Sequence, residues 1–212
     1  WVSDKPNEII QTEKIIVLTE GKTDTEFIKT GLQLFFPHLA GFYHFIDFEN
    51  SRYEASASRL VHTIKSFVGS GIKNLIIAIF DNDAAAMKEL NNLRNVNLPS
   101  NIKILQYPLI EWAKSYPSIG PTGLQEMDVN GLAGSIEMYL GKDCLQDNGG
   151  FIPIQWINYI DSIGKYQGVL LKKAEVQKKF RKKVKNFSRG NLDLNNWKEL
   201  ISIVELMNNT WK

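Results

Sequence analysis

KIIVLTEGKTDTEF, residues 14–27, and NLIIAIFDNDAAA, residues 74–86, are the stretches that decide the fold. In each, a short apolar run stops at an acid-bearing turn, and a helix-compatible stretch follows. Lys14 to Thr19 reads as a buried strand ending at Glu20-Gly21, and apolar residues at Phe27, Ile28, Leu32, Leu34, Phe35 and Phe36 then recur near helical spacing. NLIIAIF is too apolar to face water on either side, as expected of a central parallel strand covered by helices. Outward from these, Gly41 to Phe48 reads as a second strand and Ala57 to Val68 as a helix ending at Gly69 and Gly71. A helix is expected from Ala84 to about Leu93, then a fourth strand over NIKILQYP, closed by Pro108. Strands alternating with helices at this spacing predict an α/β fold, a Rossmann-like parallel sheet flanked by helices, with ligands at the carboxyl ends of the strands.

Beyond Pro108 the pattern dissolves. Tyr116 to Gly134 is punctuated by Gly and Pro and reads as a long loop; SIEMYL (residues 135–140) reads as a short helix capped by Ser135, and PIQWINYI (residues 153–160) as another short amphipathic piece. A basic helix follows in AEVQKKFRKKVKNF, and a terminal amphipathic helix from Asn195 to Trp211. The expected organisation is an α/β core over residues 1–145 and a basic, mostly helical C-terminal segment over 146–212.

The 212 residues can bury a core without disulfides, and Cys144 stands alone. No run reaches a membrane span and the first residues are too polar for a signal peptide, so a cytoplasmic protein without a membrane partner is expected. Trp1 in place of Met suggests a module of a longer chain. The net charge of +2 hides an asymmetry: Lys165 to Arg189 holds eight Lys and two Arg against Glu175, or +9, and the rest holds 15 bases against 22 acids, or −7. A basic segment of this kind suits a polyanion such as nucleic acid, or else is a solvated helix face.

Two strands end in acids: Glu20 with Asp24 after the first, and Asp81 with Asp83 after the third. If the strands are parallel, these four carboxylates share one edge, and such a cluster needs a cation to neutralise it. Oxygen ligands without His or Cys select Mg²⁺ or Mn²⁺. Taken singly, each acid could equally cap the helix that follows it.

LTEGKTDTEFI followed by IIAIFDNDAAA resembles the TOPRIM domain, whose pattern is a strand ending in Glu-Gly, an Asp a few residues on, and a second strand ending in Asp-x-Asp; the likeness covers about residues 14 to 110. Ala84-Ala85-Ala86 stands where topoisomerases and primases usually carry a Gly, so the chain looks more like the OLD-type nuclease branch and like TOPRIM modules attached to HEPN domains in prokaryotic defence-type proteins. The resemblance implies a divalent-metal-dependent nuclease using two ions, DNA ahead of RNA as substrate, and a companion domain or subunit, with a homo-oligomer also open. It implies Glu20, Asp24, Asp81, Asp83 and a downstream glutamate, Glu137, as metal ligands, with Glu20, Asp81, Asp83 and either Lys173 or Lys178 in catalysis. Lys172, Lys173, Lys178, Lys179, Arg181, Lys182, Lys183 and Lys185 would hold the nucleic-acid backbone. Two other readings stay open: a TOPRIM-like module that binds nucleic acid or a partner without cutting, and a primase-like nucleotidyl transferase.

Rival motifs fail on spacing. A P-loop before Gly21-Lys22-Thr23 would need Gly where Ile16 stands. His38, His44 and His62 are scattered without ligand spacing. Trp112, Trp156, Trp197 and Trp211 are simplest as packing residues, with base stacking on Trp156 or Tyr166 as the alternative.

Overall fold

The structure, a computed structural model, describes residues 14–46, 56–147, 149–188 and 193–211. In the first half, β1 (Ile15–Thr19), α1 (Lys22–Phe35), β2 (Tyr43–Phe45), α2 (Ala57–Ser70), β3 (Ile76–Phe80), β4 (Asn82–Asp83), α3 (Ala84–Leu90) and β5 (Ile102–Gln106) follow one another. The strands β1, β2, β3 and β5 form one wholly parallel sheet in the order β2-β1-β3-β5. The second strand is shorter than Gly41 to Phe48; positions 47 and 48 lie outside the described residues.

The two-residue period of the strands sorts the core onto two faces. Val17, Ile77 and Ile79 pack with α1 and the C-terminal helices, and Leu18, Ile76, Ala78 and Phe80 pack under α2 and α3. All five residues of β3 are shut off from water. Burying each large apolar side chain is worth about 1.5–3 kcal/mol, so β3 is the anchor that fixes where Asp81 and Asp83 stand. Ser56 caps α2 by accepting the Arg59 N–H, and Gly71 ends it with φ 66°, the left-handed conformation that favours glycine.

The second half contains β6 (Tyr116–Gly120), β7 (Gly123–Met127), β8 (Ala133–Gly134), α4 (Lys142–Leu145), β9 (Gln146–Asp147), β10 (Gly150–Phe151), β11 (Ile154–Ile160), β12 (Lys165–Leu170), α5 (Lys173–Lys185) and α6 (Lys198–Asn208). Two expectations are corrected here. The stretch from Tyr116 to Gly134 is not a loop: β6 and β7 form a hairpin across Pro121-Thr122. PIQWINYI is a strand, paired with β12 on one side and β6 on the other, in a second sheet of order β12-β11-β6-β7. A register shift between Trp156 and Asn158 breaks its alternation, which is why the period could not be read. The C-terminal extension is therefore a β-hairpin followed by the basic helix α5 and by α6.

The larger core joins both halves: Phe27 of α1, Phe180 of α5, Trp197 and the inner face of α6 pack together. Gly31 permits this, because a Cβ there would stand 3.0 Å from Leu200 Cγ. Among the described residues, no helix is long and apolar enough to cross a membrane.

Candidate metal centre

Because β1 and β3 are adjacent and parallel, the turns after them meet at one edge. Glu20 Oε1 accepts the backbone N–H of Asp81 at 2.9 Å, joining the two strand ends directly. Asp24 lies buried on the first turn of α1, whose N-cap position, Gly21, supplies no side-chain cap. Its Oδ1 accepts the Tyr107 hydroxyl at 2.6 Å, from just beyond β5. Asp83 does cap α3, accepting Ala86 N–H on Oδ1 at 2.7 Å, and its Oδ2 accepts Gln167 Nε2 at 2.9 Å. Both readings of Asp83 thus hold, the cap and the place at the edge.

Glu137 arrives from the second half. The short pair β4–β8 holds Ala133-Gly134 against Asn82-Asp83, so close that a Cβ on Gly134 would stand 2.6 Å from Asn82 O. The turn over Ile136–Tyr139 is a 3₁₀ turn rather than an α-helix, and Ser135 does not cap it. Ser135 instead donates to Glu137 Oε2 at 2.7 Å, while Gln177 Nε2 donates to Oε1 at 2.7 Å. Glu137 is 2% exposed.

The crowding is visible in the proton affinities. Burial first, then the charges of Asp83 and Asp24, hold the Glu20 carboxyl at about 8 despite the Asp81 N–H. Burial and the charge of Glu137 raise Asp24 to about 6 against the opposing Tyr107 hydrogen bond. Asp81 is pushed well above the carboxylate range by burial and by Asp24, Glu20 and Asp83, with Lys173 opposing. Asp81 Oδ1 is sealed from water and has no hydrogen-bond partner. A buried carboxylate among other acids is costly unless a proton or a cation neutralises it, and the raised proton affinity of Asp81 is the first of these. Among the described residues no three His, Cys, Asp or Glu side chains already stand gathered around one point for a metal ion. The donor chemistry, all hard oxygen, is of the kind that suits Mg²⁺ or Mn²⁺, and the orphaned Asp81 oxygen is available to a cation.

The lysines separate. Lys173 opens α5 with Nζ 3.6 Å from Glu137 Oε2, and its charge is felt by both Glu20 and Asp81. Lys178 is exposed, and no contact with the acids is formed by it among the described residues. Four of the other cations have partners within the chain. Lys172 pairs with Asp147; Lys179 donates to Gln146 O; Arg181 makes a two-pronged pair with Glu26 at 2.7 Å; and Lys183 meets Asp143, Leu140 O and Asn196 O beneath the Trp197 ring. Lys178, Lys182 and Lys185 remain exposed along α5.

Sequence reasoning missed Tyr107, Gln167, Gln177 and Ser135, the residues that position the acids. Tyr107 alone left a signal, as the residue next to the Pro that closes the fourth strand. Compared with protein-family models, curated proteins and solved structures, the chain matches none.

Proposed function

We propose that this protein is a divalent-metal-dependent nuclease of TOPRIM type, close to the OLD-type branch, cutting DNA ahead of RNA as a module of a larger defence-type protein. The observation that carries the reading is the orphaned Asp81 oxygen among Glu20, Asp24 and Asp83, with Lys173 alongside. Glu20, Asp24, Asp81, Asp83 and Glu137 would hold Mg²⁺ or Mn²⁺, and bound ions supply an activated water and charge stabilisation at the leaving oxygen.

The remaining work falls to the chain itself. Tyr107 holds Asp24, Gln167 holds Asp83, and Ser135 with Gln177 holds Glu137, so three of the five acids are oriented by side-chain donors. Lys173, on the rim with its side chain 41% exposed, reaches a phosphate and offsets the charge that develops there. Lys178, Lys182 and Lys185 attract the backbone without reading bases. The test is cleavage of plasmid and single-stranded DNA in Mn²⁺ against EDTA: Mn²⁺-dependent products lost in Glu20→Gln support the reading, and no cleavage by the folded wild type refutes it.

One observation favours a module that binds without cutting: both oxygens of Asp83 and of Glu137 already have partners within the chain. The same assay separates the two.

A further inference from the structure

The bulge in β11 shapes one face of the second sheet, the face that Ile154 and Leu170 bury at its other end. Trp156 stands opposite Gly168 and Tyr159 opposite Tyr166, so the extra residue, Ile157, leaves Trp156, Tyr159 and Tyr166 on one side of the sheet. Their rings touch: Tyr166 lies 4.9 Å from Tyr159 and 6.4 Å from Trp156, centroid to centroid, and is 57% exposed. Between this wall and the β6–β7 hairpin is a cavity of about 260 Å³, with Trp156, Tyr166, Leu132 and Met127 as its apolar surface. Among the described residues no charged side chain lines it, and its polar groups are neutral, chiefly Gln125 and Thr122, whose amide and hydroxyl meet at 3.1 Å at the exposed mouth. Such a lining rejects phosphates, carboxylates and metal ions and suits one planar, neutral, hydrogen-bonding ring.

The cavity connects with the acidic edge. Leu132, in its wall, bridges to Asp83 through the backbone and accepts the Gly168 N–H. The residue next to Tyr166 is Gln167, which faces the other way and grips Asp83. One strand thus carries an aromatic wall on one face and support for the acids on the other.

We propose that this cavity takes an unpaired nucleobase flanking the phosphate to be cut, stacked on Tyr166 and held at its edge by Gln125 and Thr122. The inference rests on the nuclease reading and narrows its substrate to nucleic acid with unpaired bases, since bases within a duplex are stacked and out of reach.

Binding in EDTA tests it without chemistry, using a short oligonucleotide carrying 2-aminopurine, as a single strand and as a duplex, with wild type, Tyr166→Ala and Tyr166→Phe. Preference for the single strand, quenching of the 2-aminopurine, a loss of about 5- to 100-fold in Tyr166→Ala and retention in Tyr166→Phe are expected. Equal affinity for the duplex, or unchanged binding by Tyr166→Ala, would overturn it, the latter being the result if a partner protein's side chain fills the cavity instead. The intact protein is then given Mn²⁺. Binding through Tyr166 without cleavage keeps the base pocket and overturns the nuclease; cleavage with binding indifferent to Tyr166 does the reverse.

Discussion

The Glu20 carboxylate accepts the backbone N–H of Asp81 at 2.9 Å, across a separation of 61 residues, and so fixes the ends of β1 and β3 to each other. That bond places the Asp81 side chain among like charges and leaves its Oδ1 without a partner. The fold tolerates an arrangement that costs stability, a pattern that belongs to sites rather than to scaffolding.

Neutralising Asp81 should therefore trade activity for stability. Asp81→Asn keeps the shape and removes the repulsion, so metal-free protein should gain about 1–3 kcal/mol, or about 3–10 °C in Tm by calorimetry. Its Mn²⁺-dependent cleavage should fall by at least ~100-fold. A variant both less stable and fully active contradicts the assignment.

Stability should depend on pH with a definite sign. Glu20, ordinarily at 4.5, sits at about 8, and Asp24, ordinarily at 3.8, at about 6. The folded state thus holds these protons more tightly than the unfolded chain. The resulting stabilisation is complete below the ordinary values and is lost as pH rises through about 6 and then about 8. Thermal melts in EDTA should fall from pH 5 to pH 8.5 by on the order of 5–15 °C, and added Mn²⁺ should recover most of the loss at the upper end.

Tyr107→Phe removes the hydroxyl that holds Asp24 at 2.6 Å. Mn²⁺ affinity by calorimetric titration should weaken about 10- to 100-fold. Tyr139→Phe, which loses its bond to Pro108 O and the long one from Asn82 Nδ2 but none to an acid, should leave that affinity within about 3-fold of wild type.

The lysines should divide by place and not by number. Lys173→Ala should reduce cleavage by about 100-fold or more, because Lys173 alone among these cations is felt by Glu20 and Asp81. Charge reversal at Lys178, Lys182 and Lys185 should weaken binding and flatten its salt dependence while sparing the rate on bound DNA. Equal effects at Lys173 and Lys178 would leave both in backbone attraction only.

The parallel sheet and four of its acids were legible because a β-branched run ending in an acid is a local signal, complete within about seven residues. The donors that orient the acids were not. Gln167 reaches Asp83 across 84 residues, Tyr107 reaches Asp24 across 83, and Gln177 reaches Glu137 across 40. Gln167 and Gln177 lie in and beyond a second sheet whose strand β11 is bulged at Ile157 and whose hairpin is built around Gly120-Pro121 and Gly123, so neither shows a clean period, whereas Tyr107 follows β5 of the first sheet. The basic segment was legible as a run of charge, but only the structure shows that Lys172, Lys179, Arg181 and Lys183 have partners within the chain.

The most direct test of the central claim is Mn²⁺ binding at pH 7.5 followed by electron paramagnetic resonance in wild type, Glu20→Gln and Asp81→Asn. Saturable binding of one or two ions by wild type, lost or weakened at least ~100-fold in both variants, is the predicted result. Wild type that binds no ion, or variants that bind as wild type does, would contradict it.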